Sequence, residues 1–241
     1  MKNTAILDFD GTIYSKGFID LGLLEKIQSE FEKIILVSNN SSISHIVIEK
    51  ILEPYCKNIL TPQLLVKAIM NTHSIKSEIC CSEIVLNYLN SKNFSIHKEI
   101  KEVLRDYSLK ASLGFIEKSE LKKVGIVGKV SNIKLKKFLK FCFLNEYTLV
   151  GMNIDKSQDS HGLESSSNLV GDLYNFKYNL GKTSETYISL IKNYCNFFNL
   201  KPAVIFGDNF NSDGYLAKSL KISYKKVLFG KSEHSKIIKI F

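Results

Sequence analysis

Residues 4–12 read TAILDFDGT, and this stretch decides the fold class. Its first four residues are an apolar run that predicts a buried β-strand. Two carboxylates, Asp8 and Asp10, follow at the end of that strand, and Gly11 turns the chain directly after them. Like charges about 4–6 Å apart raise each other's pKa, so both stay ionised only beside a cation. A hard cation with oxygen ligands, above all magnesium, is the natural partner of such a pair.

The same sequence of buried strand, polar turn and helical pattern recurs along the chain. Further strand-like stretches lie at residues 34–37, 58–60 and 203–206, and helix-like spacing follows each of them. Short units of this kind predict a parallel sheet with helices on both faces. We therefore expect an α/β fold with a Rossmann-like parallel-sheet core.

The simple strand–helix rhythm is interrupted in the middle of the chain. From about residue 65 the pattern changes, and it returns after Lys182. The economical interpretation is one domain made from both ends of the chain, with a second domain inserted into it. The expected division is a core of residues 1–64 and 179–241 and an inserted α/β domain of residues 65–178.

The last stretch, residues 231–241, alternates lysines with isoleucines. A basic and apolar segment of this kind could lie on an acidic surface. The favoured interpretation is a terminal helix packed on the domain.

The amino-acid composition limits the classes of molecule that the protein is expected to bind. Of the 241 residues, 44% are hydrophobic and 24% are charged, as in ordinary globular proteins. The net charge of +9 comes almost entirely from lysine, because Arg105 is the single arginine. Proteins that read nucleic-acid bases depend on arginine for bidentate contacts, so we expect no nucleic-acid partner.

The cysteine content and the apolar stretches indicate the cellular compartment in which the protein is expected. The number of cysteines, five, is odd and no CxxC motif occurs, which favours reduced thiols and a cytoplasmic protein over a disulfide framework. The chain reaches Asp8 before an apolar signal region could form. Since no run of about 18 apolar residues exists, we expect neither a membrane span nor a membrane partner.

Four groups of polar side chains fall at or near the carboxyl ends of the predicted strands. In an open parallel sheet these ends share one edge, where ligands bind, so segments about 200 residues apart would meet in one cleft. The groups supply carboxylates for a metal, a hydroxyl and an amide for an anion, and a lysine to neutralise charge. This inventory suits phosphoryl transfer. The groups are Asp8 with Asp10, Ser38 with Asn39, Lys182, and Asp208 with Asp213.

The chain contains four motifs in the order in which they occur in the haloacid dehalogenase superfamily of phosphatases, and on these motifs it resembles that family. It is most similar to the branch of para-nitrophenylphosphatase-like and phosphoglycolate phosphatase-like enzymes. In that branch a large α/β cap lies between the second and third motifs, where this chain has its insert. Within the cap the likeness is limited to strand–helix rhythm and to residues 151–155, where Ile154 stands in place of the family's proline. The motifs are residues 8–12 (DFDGT), 37–41 (VSNNS), 181–184 (GKTS) and 207–213 (GDNFNSD).

The resemblance implies a magnesium-dependent phosphatase that works through an aspartyl-phosphate. Asp8 would attack phosphorus, while Asp10 would protonate the leaving oxygen and then activate water. Magnesium would be held by the Asp8 carboxylate, the Asp10 backbone carbonyl and Asp208, with Asp213 supporting these ligands. The residues implied to hold the phosphate are Ser38, the Asn39 backbone amide and Lys182, of which Lys182 would also stabilise charge in the transition state.

The substrate implied by the resemblance is a small phosphorylated metabolite. Phosphoglycolate, sugar phosphates, nucleoside monophosphates and pyridoxal phosphate are all candidates, and the sequence does not rank them. A homodimer formed through the cap is a further open expectation. Two alternatives to hydrolysis remain: a phosphotransferase or mutase on the same scaffold, and a non-catalytic sensor of a phosphorylated ligand. The intact Asp8, Asp10, Lys182 and Asp208 speak against the sensor.

Overall fold

The computed structural model describes residues 4–40, 43–56, 58–66, 76–81, 83–90, 123–128, 132–152 and 178–240. The chain divides into two compact units. The first unit consists of Met1–Asn40, Ile46–Thr61 and Tyr194–Phe241, and the second of Ser41–His45 and Pro62–Asn193. The core and cap boundaries expected from the sequence stay a prediction.

A five-stranded sheet forms the centre of the first unit, and every neighbouring pair of its strands is parallel. The predicted α/β fold with a parallel sheet is confirmed. Across the sheet the strands are β11 (Ser223–Lys226), β10 (Pro202–Gly207), β1 (Thr4–Asp8), β4 (Lys33–Val37) and β5 (Asn58–Leu60).

The central strand β1 explains why the opening stretch is so apolar. Its residues Ala5, Ile6 and Leu7 are fully buried, and the strand pairs with β4 on one side and β10 on the other. A parallel strand covered on both faces is a continuous apolar run rather than an alternating one. The first apolar run of the chain is therefore the centre of the sheet.

Six α-helices lie entirely within the described residues. The first begins after Asp20, whose carboxylate accepts a hydrogen bond from the Leu23 amide and so caps the helix. Its apolar face, Leu23, Leu24 and Ile27, is buried as the helical spacing predicts. The helices are α1 (Leu21–Glu30), α2 (His45–Leu52), α3 (Glu83–Asn90), α4 (Asn132–Leu144), α5 (Glu185–Phe197) and α6 (Tyr215–Leu220).

A small antiparallel sheet corrects the expectation for the chain's last residues. The predicted terminal helix is wrong: these residues contain strand β12 (Ile237–Lys239), which pairs with β3 (Phe18–Asp20). Strand β3 also pairs with β2 (Tyr14–Ser15). Residues 236–240 read KIIKI, which has neither a clear helical nor a clear strand period, and the strand is defined by its pairing with β3.

The second unit contains its own parallel sheet. Its buried cluster of Val127, Leu135 and Leu139 packs α4 on the sheet. The turn at residues 153–155, where the sequence departs from the family pattern, lies outside the described residues. The strands of this sheet, in order, are β6 (Lys76–Cys80), β7 (Lys123–Val127), β8 (Thr148–Gly151) and β9 (Tyr178–Asn179).

Among the described residues, no helix combines the length and the apolar character needed to cross a bilayer. All five cysteines belong to the described residues, and none forms a disulfide.

Candidate active site

Three carboxylates of the first unit converge at the carboxyl ends of β1 and β10. Asp8 is the last residue of β1, and Asp208 directly follows β10. Asp213 lies in a π-helical turn, Phe210–Gly214, that comes next along the chain. One oxygen of each carboxylate lies within 4.8 Å of the others. The structure thus brings together three of the four residues expected to hold the metal.

The order of the strands explains this convergence. From β1 the chain proceeds outward to β4 and β5 on one side, and it later returns to build β10 and β11 on the other. The strand order therefore reverses between β1 and β10. Crevices at the carboxyl ends beside such a reversal are where open α/β sheets bind ligands.

Two glycines let the backbone approach these carboxylates closely. A Cβ atom on Gly11 would overlap the Asp208 carboxylate, and one on Gly207 would lie 2.7 Å from the Asp213 Cβ and overlap its carboxylate. Gly11 also has a φ of +74°, which L side chains rarely adopt. Both positions therefore require glycine while Asp208 and Asp213 keep their places.

The three carboxylates fit a hard divalent cation. Asp8 and Asp213 are buried, and two buried carboxylates beside a third are costly unless a cation compensates their charge. Since all the candidate ligand atoms are oxygens, Mg²⁺ or Ca²⁺ suits the group better than a softer metal. Thr12 donates a hydrogen bond of 3.0 Å to Asp8 Oδ2, which orients that carboxylate.

The Asp10 carboxylate has hydrogen-bond partners in the turn after β4. Asn40 Nδ2 donates to Asp10 Oδ1 at 2.7 Å, and Ser38 Oγ donates to Asp10 Oδ2 at 3.4 Å. The Ser38 hydroxyl in turn accepts from the Asn40 amide at 2.9 Å. The Asp10 side chain is thus oriented by the turn after β4, which leaves its backbone carbonyl as the group expected to bind metal.

Asn40 is a residue that sequence reasoning missed. It lies within the second motif, yet no role was expected for it beside Ser38 and Asn39. The signal available was the clustering of amides directly after a buried strand. Asn39 is half-buried between its two neighbours.

Tyr14 lies next to Asp10 in the turn after β1. Burial raises the pKa of the Tyr14 hydroxyl, the Gly17 amide that donates to it lowers that pKa, and the Asp10 charge raises it further. Its ring stacks on Phe9 with centroids 4.8 Å apart. Tyr14 is therefore neutral at physiological pH and cannot serve there as an anionic base.

The segment after α6 supports both loops that carry the carboxylates. The Gly207 carbonyl accepts hydrogen bonds from the Val227 amide at 2.9 Å and from the Tyr224 hydroxyl at 3.0 Å. The Phe229 amide donates to the Gly11 carbonyl at 2.7 Å. These contacts were also missed, because backbone acceptors leave no signature in the sequence.

Lys182 belongs to the second unit. It is buried, in the turn of residues 181–184 that precedes α5. The Ser184 amide donates to the Gly181 carbonyl at 2.9 Å, and Ser184 Oγ accepts from the Tyr187 amide at 3.1 Å. The third motif is therefore a tight turn that caps a helix.

Solved structures of three hydrolases, two of them described as phosphatases, have a similar fold. A glycerol phosphate phosphatase from Mycobacterium tuberculosis, in complex with calcium, is 14% identical with a TM-score of 0.59, over 92% of this chain and 65% of its own. A haloacid dehalogenase-like hydrolase from Brucella suis 1330 is 12% identical with a TM-score of 0.62, over 92% and 84%. A candidate p-nitrophenyl phosphatase from Bacillus subtilis is 14% identical with a TM-score of 0.57, over 98% and 90%.

The likeness is one of structure rather than sequence. No protein-family model and no curated protein matches the sequence. The chain spans less than two thirds of the length of the mycobacterial phosphatase. The resemblance expected from the four motifs is confirmed at the level of the fold: the chain has the haloacid dehalogenase-like fold seen in these solved structures.

Proposed function

We propose that the chain is a magnesium-dependent phosphatase that hydrolyses a small phosphorylated metabolite through an aspartyl-phosphate on Asp8. The observation that carries this proposal is the division of the carboxylates into two sets. One oxygen each of Asp8, Asp208 and Asp213 lies within 4.8 Å of the others, while the Asp10 carboxylate accepts hydrogen bonds from Ser38 and Asn40. One set suits a metal and a nucleophile, and the other suits proton transfer.

In the first step an Asp8 oxygen attacks phosphorus and the bond from phosphorus to the ester oxygen breaks. Protonated Asp10 gives its proton to that leaving oxygen, which departs as an alcohol. In the second step water attacks the phosphorus of the aspartyl-phosphate, Asp10 takes a proton from the water, and the Asp8 carboxylate is released. Asn40 keeps Asp10 in one orientation through both steps.

The proposed metal ligands are the carboxylates of Asp8 and Asp208 and the Asp10 backbone carbonyl, with Asp213 supporting them. When bound, Mg²⁺ would neutralise charge on the transferring phosphoryl group. The proximity of the three carboxylates supports this assignment. Calcium in the complex of the mycobacterial phosphatase is consistent with a divalent ion in this fold.

Ser38, the Asn39 backbone amide and Lys182 are proposed to bind the phosphate oxygens. Support comes from their motifs and, for Ser38, from its burial at the end of β4 beside Asp10. The Ser38 hydroxyl would exchange its contact with Asp10 for one with the substrate. Lys182 would balance the negative charge that gathers on the phosphoryl group.

We further propose that residues 65–178 act as a cap that selects the substrate and excludes water, while residues 1–64 and 179–241 form the catalytic core. A homodimer through the cap and a cytoplasmic location belong to the same proposal. The five cysteines, none of which forms a disulfide, support the cytoplasmic location. Light scattering would test the dimer.

The decisive experiment measures phosphate release from a panel of phosphorylated metabolites, with Mg²⁺ and with a chelator. Asp8→Asn is the test variant. Asp20→Asn is its matched control, since Asp20 is also a buried carboxylate but is bonded to α1 and to the segment before β12.

We expect Mg²⁺-dependent release that Asp8→Asn abolishes and Asp20→Asn retains. Release that persists in Asp8→Asn would contradict the mechanism. Little phosphate release but transfer to an added sugar would favour the phosphotransferase. Absence of both reactions in folded protein would favour the ligand sensor.

A further inference from the structure

Residues 227–240, which follow β11, contact both loops that carry the carboxylates, and we call this segment the strap. The Val227 amide donates a hydrogen bond of 2.9 Å to the Gly207 carbonyl, directly before one aspartate of the site. Two residues later, the Phe229 amide donates a hydrogen bond of 2.7 Å to the Gly11 carbonyl in the loop after β1. The beginning of the strap therefore joins the two loops that meet at the proposed metal site.

The other end of the strap is attached to the hairpin of β2 and β3. Strand β12 pairs with β3, and the Ile240 amide donates to the Gly17 carbonyl at 2.9 Å. The Asp20 carboxylate accepts hydrogen bonds from Ser235 Oγ and from the Lys236 amide. The strap is thus held by the carboxylate loops at one end and by the hairpin at the other.

The side chain of Ile237 connects these two attachments. A Cβ atom on Gly230 would lie 2.9 Å from Ile237 Cδ1, so the isoleucine packs on the turn directly after Phe229. A hydrogen bond of 3.1 Å from the Lys231 amide to the Leu228 carbonyl closes that turn. Movement of β12 away from β3 would therefore remove a contact that holds the turn beside the Phe229 amide.

Strand β12 can detach without unfolding of the large sheet. All three of its residues are exposed, and among the described strands it lies at the edge of the small sheet. Segments with few buried side chains and exposed backbone hydrogen bonds open locally at free energies well below that of global unfolding. A docked and an undocked form of the strap are thus both accessible.

The carboxylates respond to the same movement. Asp8 and Asp213 are buried beside Asp208, so without a cation their negative charges repel one another. Separation of the two loops would relieve this repulsion, and the two amides at the beginning of the strap oppose that separation. A divalent cation removes the repulsion, so it favours the same arrangement as the docked strap.

We propose that docking of the strap and binding of a divalent cation strengthen each other, so that the strap is a remote positioning element of the metal site. This inference rests on the proposed function, because it requires the metal site. Coupling between two such events is reciprocal: the docked strap raises metal affinity by the same factor by which the metal favours docking. Asp20→Asn keeps the Oδ1 acceptor of the Lys236 amide and should leave the strap docked.

Hydrogen exchange of the full chain, first freed of metal by a chelator and then with Mg²⁺ added, measures the effect of the metal on the strap. We expect Mg²⁺ to slow exchange in residues 229–240 by about fivefold or more, the lower end of the range for coupled sites. Strands β6, β7 and β8 of the second unit should exchange at an unchanged rate. Slower exchange in residues 8–12 and 207–213 would show that the metal is bound.

Terbium luminescence measures the reverse effect, that of the strap on metal affinity. The strap variant is Ser235→Ala/Ile237→Ser, and the matched control is Ser29→Ala/Phe197→Ser. Each removes one hydrogen bond from a serine hydroxyl and one half-exposed apolar side chain of the first unit. We expect affinity to fall about fivefold or more in the strap variant and to stay unchanged in the control, with circular dichroism to show that both are folded.

The outcomes separate this inference from the proposed function. Metal binding that leaves exchange in the strap unchanged, or a folded strap variant with wild-type affinity, would overturn the coupling and leave the metal site intact. Exchange that slows equally in both units would also overturn it, because the metal would then stabilise the whole chain. No binding of Mg²⁺ or terbium by the wild type would overturn the metal site and this inference together.

Discussion

Replacing Asp20 tests how the end of the chain is held to the core. Asp20 is fully buried, and its carboxylate accepts three hydrogen bonds. Oδ1 accepts from the Leu23 amide at 3.1 Å and the Lys236 amide at 3.0 Å, while Oδ2 accepts from Ser235 Oγ at 2.6 Å. One side chain thus caps α1 and fixes the segment that leads into β12.

The cost of Asp20→Ala follows from these three contacts. Loss of the helix cap costs about 1 kcal/mol. The hydroxyl of Ser235 and the amide of Lys236 lose their acceptor, at about 1–3 kcal/mol each where water cannot replace it. We expect the free energy of unfolding to fall by about 3 kcal/mol, the lower end of these terms, because Ser235 is half-buried and Lys236 exposed, so that water reaches both donors. Asp20→Asn keeps Oδ1 and turns an amide toward the rotatable Ser235 hydroxyl, so it should cost about 1 kcal/mol.

Urea denaturation followed by circular dichroism measures both variants, and Ser235→Ala completes a double-mutant cycle with Asp20→Ala. The two sites share a bond, so their losses should sum to more than the loss in the double variant. A loss below about 1 kcal/mol for Asp20→Ala, or an equal loss for Asp20→Asn, would refute the reasoning about buried partners.

Three further predictions concern the site and the core. Gly207→Ala should displace Asp213, because its new Cβ overlaps that carboxylate, and should weaken terbium binding measured by luminescence; unchanged binding would contradict the close approach. Tyr224→Phe removes a hydroxyl that donates a hydrogen bond to the Gly207 carbonyl, so metal affinity should fall about three- to tenfold. Tyr194→Phe loses a hydrogen bond elsewhere in the same unit and should lower stability alone. Equal metal affinities in the two variants would argue against a role for Tyr224 in positioning the metal ligands. Burial raises the pKa of the Cys56 thiol from 9.0 to about 11, so the stability that the thiol contributes is complete below pH 9 and is lost as pH rises toward 11. Chemical denaturation at pH 9 and at pH 11 should therefore show a loss of stability about 2 kcal/mol smaller in Cys56→Ala than in the wild type. Parallel pH dependences of the two proteins would contradict this prediction.

The parts of the fold that could be predicted are those with a local signal. Strands β1, β4 and β10 are apolar runs, and their polar ends follow directly in the sequence. The gathering of Asp8, Asp208 and Asp213 required only the rule that parallel strands share a carboxyl edge. The roles of these residues in metal binding and catalysis stay predictions.

The parts that were missed depend on distant partners. Strand β12 is short and exposed, and it is specified by pairing with β3 and by Asp20, which lies 215 residues from Ser235. The support that Tyr224 gives to Gly207 is a contact with a backbone carbonyl, which no residue type reveals. The sequence placed Asn40 directly after a buried strand, but several neighbouring polar residues could equally have bonded to the Asp10 carboxylate.

The central position of β1 has a consequence for synthesis on the ribosome. Thr4 lies beside Pro202 in the finished sheet, so one edge of this apolar strand has no neighbour until β10 is made. At about 5–20 residues per second, translation leaves that edge uncovered for roughly 10–40 s. During this interval the nascent chain presents an unpaired hydrophobic strand, the kind of surface that aggregates unless a chaperone covers it.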